Sequence, residues 1–154
     1  MRPSAVFALC CMAAACSDAR TPPVSAVPVV RSSDTTRGRS VRGTLHTVRM
    51  VLDNEGFRFD PAYLTVTEGD GVQFRMISGV PHNVSFDDQF IPRGSRAQLA
   101  ANLALVGARD LAAPVVTALD SAYVVSTSGL PHGEYLFYCA PHRSLNMHGV
   151  ITVR

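Results

Sequence analysis

Residues 138–149, YCAPHRSLNMHG, set a thiol, an imidazole and a thioether at the spacing C-x2-H-x4-M: Cys139, His142 and Met147. Soft sulfur beside imidazole suits copper, whereas calcium and magnesium take oxygen ligands. Ligands this close in sequence converge on one ion with little loop-closure entropy lost. A trigonal thiolate site with a weak axial thioether needs a second imidazole. His82, directly after Pro81 in GVPHNVSFD (residues 79–87), is the candidate.

The segments PHNVSFD and YCAPHRSLNMHG resemble the two ligand segments of plastocyanin and related bacterial cupredoxins. The resemblance covers residues 48–153. It implies an all-β fold, a cupredoxin Greek-key β-sandwich with a short helical segment in a long connection. It implies one type 1 copper per chain, held by His82, Cys139, His142 and Met147, that passes single electrons. In the same reading Asn83 restrains the loop and hydrogen-bonds near the Cys139 sulfur, and Pro141 stiffens the turn from Cys139 to His142. Electrons enter through an exposed edge of His142, ringed by Phe57, Gly79, Pro81, Ser144 and Leu145. Phe57 stands where plastocyanins place a Leu, and Leu145 where they place a small residue. Tyr138 matches the tyrosine of a second docking area. Only Asp87 and Asp88 remain of its acidic flank, near Arg93 and Arg96, so a strongly basic partner is not implied. The partners expected are redox proteins that dock transiently on a monomer.

The four-ligand set leaves no position open for a substrate, so a carrier is expected rather than an enzyme. Copper oxidases and nitrite reductases need paired H-x-H ligands, and no H-x-H occurs. A binuclear centre would need a second Cys beside Cys139. The alternative is a copper-binding metallochaperone or copper-handling protein. Such proteins tend to use open, Met- or Cys-rich sites, and this chain has one compact site.

Three regions must carry and position these ligands. Residues 1–15 have the form of an export signal, with Arg2 and an apolar run at 5–15 too short to span a bilayer as a helix. The run ends AAAC, which resembles a bacterial lipobox, with Ala13 in place of the usual Leu and Cys16 as the lipidated residue. This places the protein outside the cytoplasm, in the bacterial periplasm or cell envelope, held to a membrane by a lipid anchor. Residues 16–42 are rich in Pro, Ser, Thr and Arg without an apolar period, and are expected to form a flexible linker. Residues 43–154 form the domain. Cys10, Cys11 and Cys16 precede it, so Cys139 is its only cysteine and it can hold no internal disulfide.

Within the domain the pattern is short strands separated by Gly and Pro turns, as in sandwiches and barrels. Strands are expected at 44–52, 62–67, 72–77, 82–86, 122–126, 134–139 and 149–153, with a turn at 53–56. Tyr135, Phe137 and Cys139 share the face expected to be core. Residues 95–113 are rich in Ala and Leu and predict one or two helical turns, with Leu99, Leu103 and Val106 on one face. His82 and Cys139 are 57 residues apart, longer than the resemblance to plastocyanins implies, so an insertion is expected within 104–121. His46, His132 and His148 are expected at the surface. The domain has ten acidic residues and eight Arg, and the chain has no Lys. No basic patch is interleaved with aromatics, so nucleic acid is not an expected partner.

Overall fold

A computed structural model of the chain describes residues 41–154. The expected signal at 1–15, the lipidation site Cys16 and the linker to residue 40 lie outside the described residues.

Among the described residues eight strands form: β1 (Leu45–Asp53), β2 (Gly56–Asp60), β3 (Tyr63–Val66), β4 (Gly71–Met76), β5 (Ser85–Phe86), β6 (Ala122–Ser126), β7 (Gly133–Tyr138) and β8 (His148–Val153). They make two four-stranded sheets, ordered β2-β1-β4-β6 and β3-β8-β7-β5. The two sheets share one apolar core. Alternation decides which side chains enter it. Val72, Phe74 and Met76 of β4 are buried while Arg75 is exposed, and Tyr135, Phe137 and Cys139 are buried as their shared face requires. Phe137 lies edge-to-face against Phe59 and Phe74, with ring centroids 4.8 and 5.3 Å away. Such pairs add to plain area burial and fix ring orientation. They sit two residues before Cys139, so the strand that delivers the thiol is firmly packed.

Two strand expectations change. The sequence marks a turn at 53–56 but not the strand that follows it; β2 pairs with β1 through Leu52↔Phe57 and Met50↔Phe59. The strand expected at 82–86 is reduced to Ser85–Phe86 in its pairing with β7. Its remaining backbone groups turn to residues 111–116 instead. His82 exchanges both hydrogen bonds with Val116, at 3.0 and 2.7 Å, and Phe86 N–H reaches Leu111.

The helical prediction narrows to α1 (Arg96–Ala104), a run of strong helix formers. Leu99 and Leu103 are buried as expected, and Val106 packs against the core from just beyond the helix. Asn102, on the same face, donates to the Ser126 and Ser128 carbonyls at 2.7 and 3.1 Å. That ties α1 to the end of β6.

Candidate metal centre

Cys139 follows the last residue of β7 and Met147 precedes the first of β8. The Cys139 N–H donates to the Met147 carbonyl at 3.0 Å, so the loop between them is closed at its base. Inside it, Ala140–Leu145 forms a 3-10 turn kinked at His142, which leaves helical geometry (φ −117°, ψ 19°). Pro141 is the second residue of the turn, and its fixed φ suits that early position. Asn146 ends it at φ 63°, a left-handed conformation that Asn tolerates better than most residues. Two further bonds, His142 N–H to Cys139 and Met147 N–H to His142, hold the loop's course.

The upstream histidine is brought in from the other side. The Cys139 sulfur lies 3.6 Å from His82 Nδ1 and 3.4 Å from His142 Nδ1. The three donor atoms all fall within 4.8 Å of one another, and all three residues are buried. His82 Nε2 is 2.8 Å from the Ser78 carbonyl. A carbonyl only accepts, so Nε2 carries the hydrogen and Nδ1 keeps its lone pair toward the sulfur. Ser78 is itself fixed, bonding both the N–H and the carbonyl of Leu52 through its hydroxyl. Met147 is wholly buried beside this group in sequence and shares the core with Cys139.

Asn83 joins the two ligand segments. Its Oδ1 accepts from Ala140 N–H at 2.8 Å, and its amide nitrogen donates to Ser85 Oγ and the Ala113 carbonyl. The residue after Cys139 is thereby clamped to the residue after His82.

Burial sets the charge state of the group. Desolvation lowers the His82 pKa, opposed by the Ser78 hydrogen bond and aided by nearby His142, and desolvation alone lowers that of His142. Both imidazoles are thus held neutral, the form that ligates. Burial pushes the Cys139 thiol up, only partly offset by the backbone N–H groups of Asn83 and His142 beside the sulfur. A bound cation reverses that penalty and takes the sulfur as thiolate. One soft sulfur and two neutral imidazoles, with no carboxylate in the cluster, fit copper.

The surface over the site differs from expectation. His142 is only 7% exposed. The Phe57 ring, on β2, stacks on it with centroids 3.7 Å apart and planes 16° apart, and meets His82 edge-on at 6.0 Å. The open imidazole edge is thus replaced by a phenyl cover. Gly79 (φ +74°) makes room for it: a Cβ there would lie 3.0 Å from the Phe57 ring and collide with Leu52. Leu145 is 56% exposed, and Val80 and Leu52 add apolar surface that the sequence reading did not name. Pro81 and Gly79 are half-buried and Ser144 is exposed.

On the far side of β7, Tyr138 is half-buried. Of its acidic flank, Asp88 is met by Arg96 as their nearness in sequence suggests, Arg96 also reaches Asp110, and Asp87 is met by Arg143. Of the other histidines, His132 is exposed and His148 half-buried. His46 is not simply a surface group, since its Nε2 lies 2.9 Å from Asp70 Oδ2.

Comparison with known proteins also points to copper. A family model for copper binding proteins of the plastocyanin/azurin family matches residues 46–154. Plastocyanin of Synechococcus sp. (strain JA-2-3B'a(2-13)) is 40% identical over 106 residues, which are 69% of this chain and 71% of that protein. Plastocyanin of Dryopteris crassirhizoma is 36% identical over 100 residues, or 64% of this chain and 89% of that one. The solved oxidised form of the Dryopteris crassirhizoma protein superposes with a TM-score of 0.54 at 31% identity, covering 70% of this chain and 99% of that one.

Proposed function

This chain belongs to the plastocyanin/azurin family of copper-binding proteins, and from that membership we propose that it carries single electrons between exported redox proteins through one type 1 copper. His82, Cys139, His142 and Met147 would hold the copper. The observation that carries this reading is the convergence of two imidazole Nδ1 atoms on one buried thiol. When bound there, copper supplies the one-electron step between its two oxidation states.

The chain's own residues do the rest. The Ser78 carbonyl and the Phe57 ring orient the two imidazoles before any metal arrives. Asn83 holds the two ligand segments in register. A frame fixed in this way changes little when charge changes, which keeps the barrier to electron transfer low. The apolar end formed by Phe57, Gly79, Pro81, Val80 and Leu145 supports brief docking of a partner near His142, as suits a monomeric carrier. Compact, buried ligands favour the carrier over the copper-handling alternative, because a donor protein must give its metal up.

Titration of the purified protein with Cu(II), followed by visible absorption, tests the reading. An intense blue band saturating at one copper per chain and bleached by a mild reductant is expected, and Cys139→Ser should abolish it. A colourless wild-type protein would move metal handling ahead. A band that survives Cys139→Ser would remove that thiol from the site.

A further inference from the structure

We propose that Arg143 is a specificity-determining residue that closes the Tyr138 face to cationic partners. The proposal rests on the electron-carrier reading above.

Tyr138 is the covalent neighbour of Cys139. Along β7 the inward set is Tyr135, Phe137 and Cys139, so Tyr138 points outward. One peptide unit separates its Cα from that of the thiol residue, which makes its ring a short through-bond route from the surface to the sulfur. Three carboxylates, Asp87, Asp88 and Asp110, line the same shallow hollow as Tyr138. An aromatic face ringed by three carboxylates attracts cations, both by charge and by its ring electrons.

This chain occupies that place with its own cation. The Arg143 guanidinium lies over the Tyr138 ring, 4.1 Å from its centroid, and bonds Asp87 at 3.0 Å. Asp87 is aimed by the Gln89 N–H on its Oδ1, and its own N–H is tied to the Leu136 carbonyl of β7. Arg96 meanwhile bonds Asp88 at 3.1 Å and Asp110 at 2.7 Å. Every carboxylate of the hollow therefore faces a guanidinium. The cap grows from the metal loop itself, one residue after His142, so it is positioned by the same 3-10 turn that positions the ligand.

The test compares wild type, Arg143→Gln, Tyr138→Leu and the double substitution. The first probe is hexaamminechromium(III), a redox-inert paramagnetic cation, added to copper-free protein while the Tyr138 ring protons are followed by NMR. Wild type should show no selective broadening and Arg143→Gln should show it several-fold. The second probe is tris(1,10-phenanthroline)cobalt(III), which takes one electron from the Cu(I) protein to give Cu(II) and cobalt(II). Arg143→Gln should raise its second-order rate about three- to tenfold at low ionic strength, an effect that fades as salt screens it. Tyr138→Leu alone should leave the wild-type rate unchanged, and the double substitution should return to it. Selective broadening already present in wild type overturns the proposal. So does a rate gain that persists without Tyr138, because charge alone would then explain it. If Arg143→Gln fails to form a blue site, Arg143→Lys on copper-free protein decides: broadening above wild type supports the planar cover, and a wild-type response overturns it. Failure of the carrier reading itself is seen separately, as a wild type that never turns blue.

Discussion

At the scale of single residues, three of the four proposed ligands announce themselves because their chemistry is local: a Cys, a His and a Met in one short loop. The residue that shapes the site's surface does not. Phe57 is 25 residues before His82; only the family resemblance sets it around His142, and nothing in its own neighbourhood signals that it stacks on that ring. The Ser78 carbonyl is equally silent, since any residue carries one. Phe57→Leu exposes what the ring does. An aromatic pair is worth about 0.5–1.5 kcal/mol beyond burial, a factor of roughly two to ten in an opening equilibrium. If copper leaves by way of His142 swinging outward, the Leu variant should lose copper to a strong chelator about two- to tenfold faster at neutral pH, read from the fading blue band. Equal release rates would mean that the stack does not restrain His142.

At the scale of elements, period-two alternation made most strands readable, and β4 follows it residue by residue. β2 is too short and too close to its turn to stand out, although Phe57-Arg58-Phe59 alternates. The segment at 82–86 misled because its partner is irregular: residues 111–116 carry no strand pattern, yet their backbone groups satisfy those of His82, Val84 and Phe86. A second tie lies at the opposite end of the sandwich. Buried Asp70 accepts from Thr44 N–H, Thr67 N–H and His46 Nε2, linking the start of β1 to the turn before β4. The Thr67 and His46 bonds lower its pKa below the ordinary carboxylate value, with the Thr44 bond adding to them against desolvation. A depressed folded-state pKa gives stability that is complete above the unfolded value and lost as pH falls through the folded one. Asp70→Asn should thus cost about 1–3 kcal/mol at pH 7, where a buried donor is left poorly satisfied. The gap to wild type should narrow below about pH 4. Urea unfolding of copper-free protein at pH 7 and pH 3 measures it, and a gap independent of pH would separate Asp70 from acid sensitivity.

At the scale of the whole molecule, the sandwich has two poles with different work. Gly43 and the Arg42 N–H bond the Gly69 carbonyl beside Asp70, so the N-terminal segment joins at the pole where β4 begins. β4 then runs away from that pole to Met76, and Ser78 and His82 follow at the other end. Six extended residues separate the poles by about 20 Å. The apolar, metal-bearing end therefore faces away from the point where residues 42–43 join the sandwich. The sequence shows the ligand loop and the segment that enters β1, but not that they are opposed, because opposition is a property of sheet topology. From the apolar run that ends AAAC at residues 13–16, we propose that the protein is exported to the bacterial cell envelope and anchored through lipid on Cys16. The prediction is specific to that residue. In cells expressing the full chain, Cys16→Ala should move the protein from the membrane fraction to the soluble fraction. The blue band should be unchanged, since Cys16 is not among the proposed copper ligands. Acyl chains contribute about 0.8 kcal/mol per buried methylene, so more than one chain on a single Cys gives attachment that high salt does not reverse. Membrane association that survives Cys16→Ala would reject the anchor. Association lost in high salt alone would assign it to the five arginines of residues 17–42, whose attraction to anionic lipid is screened by salt.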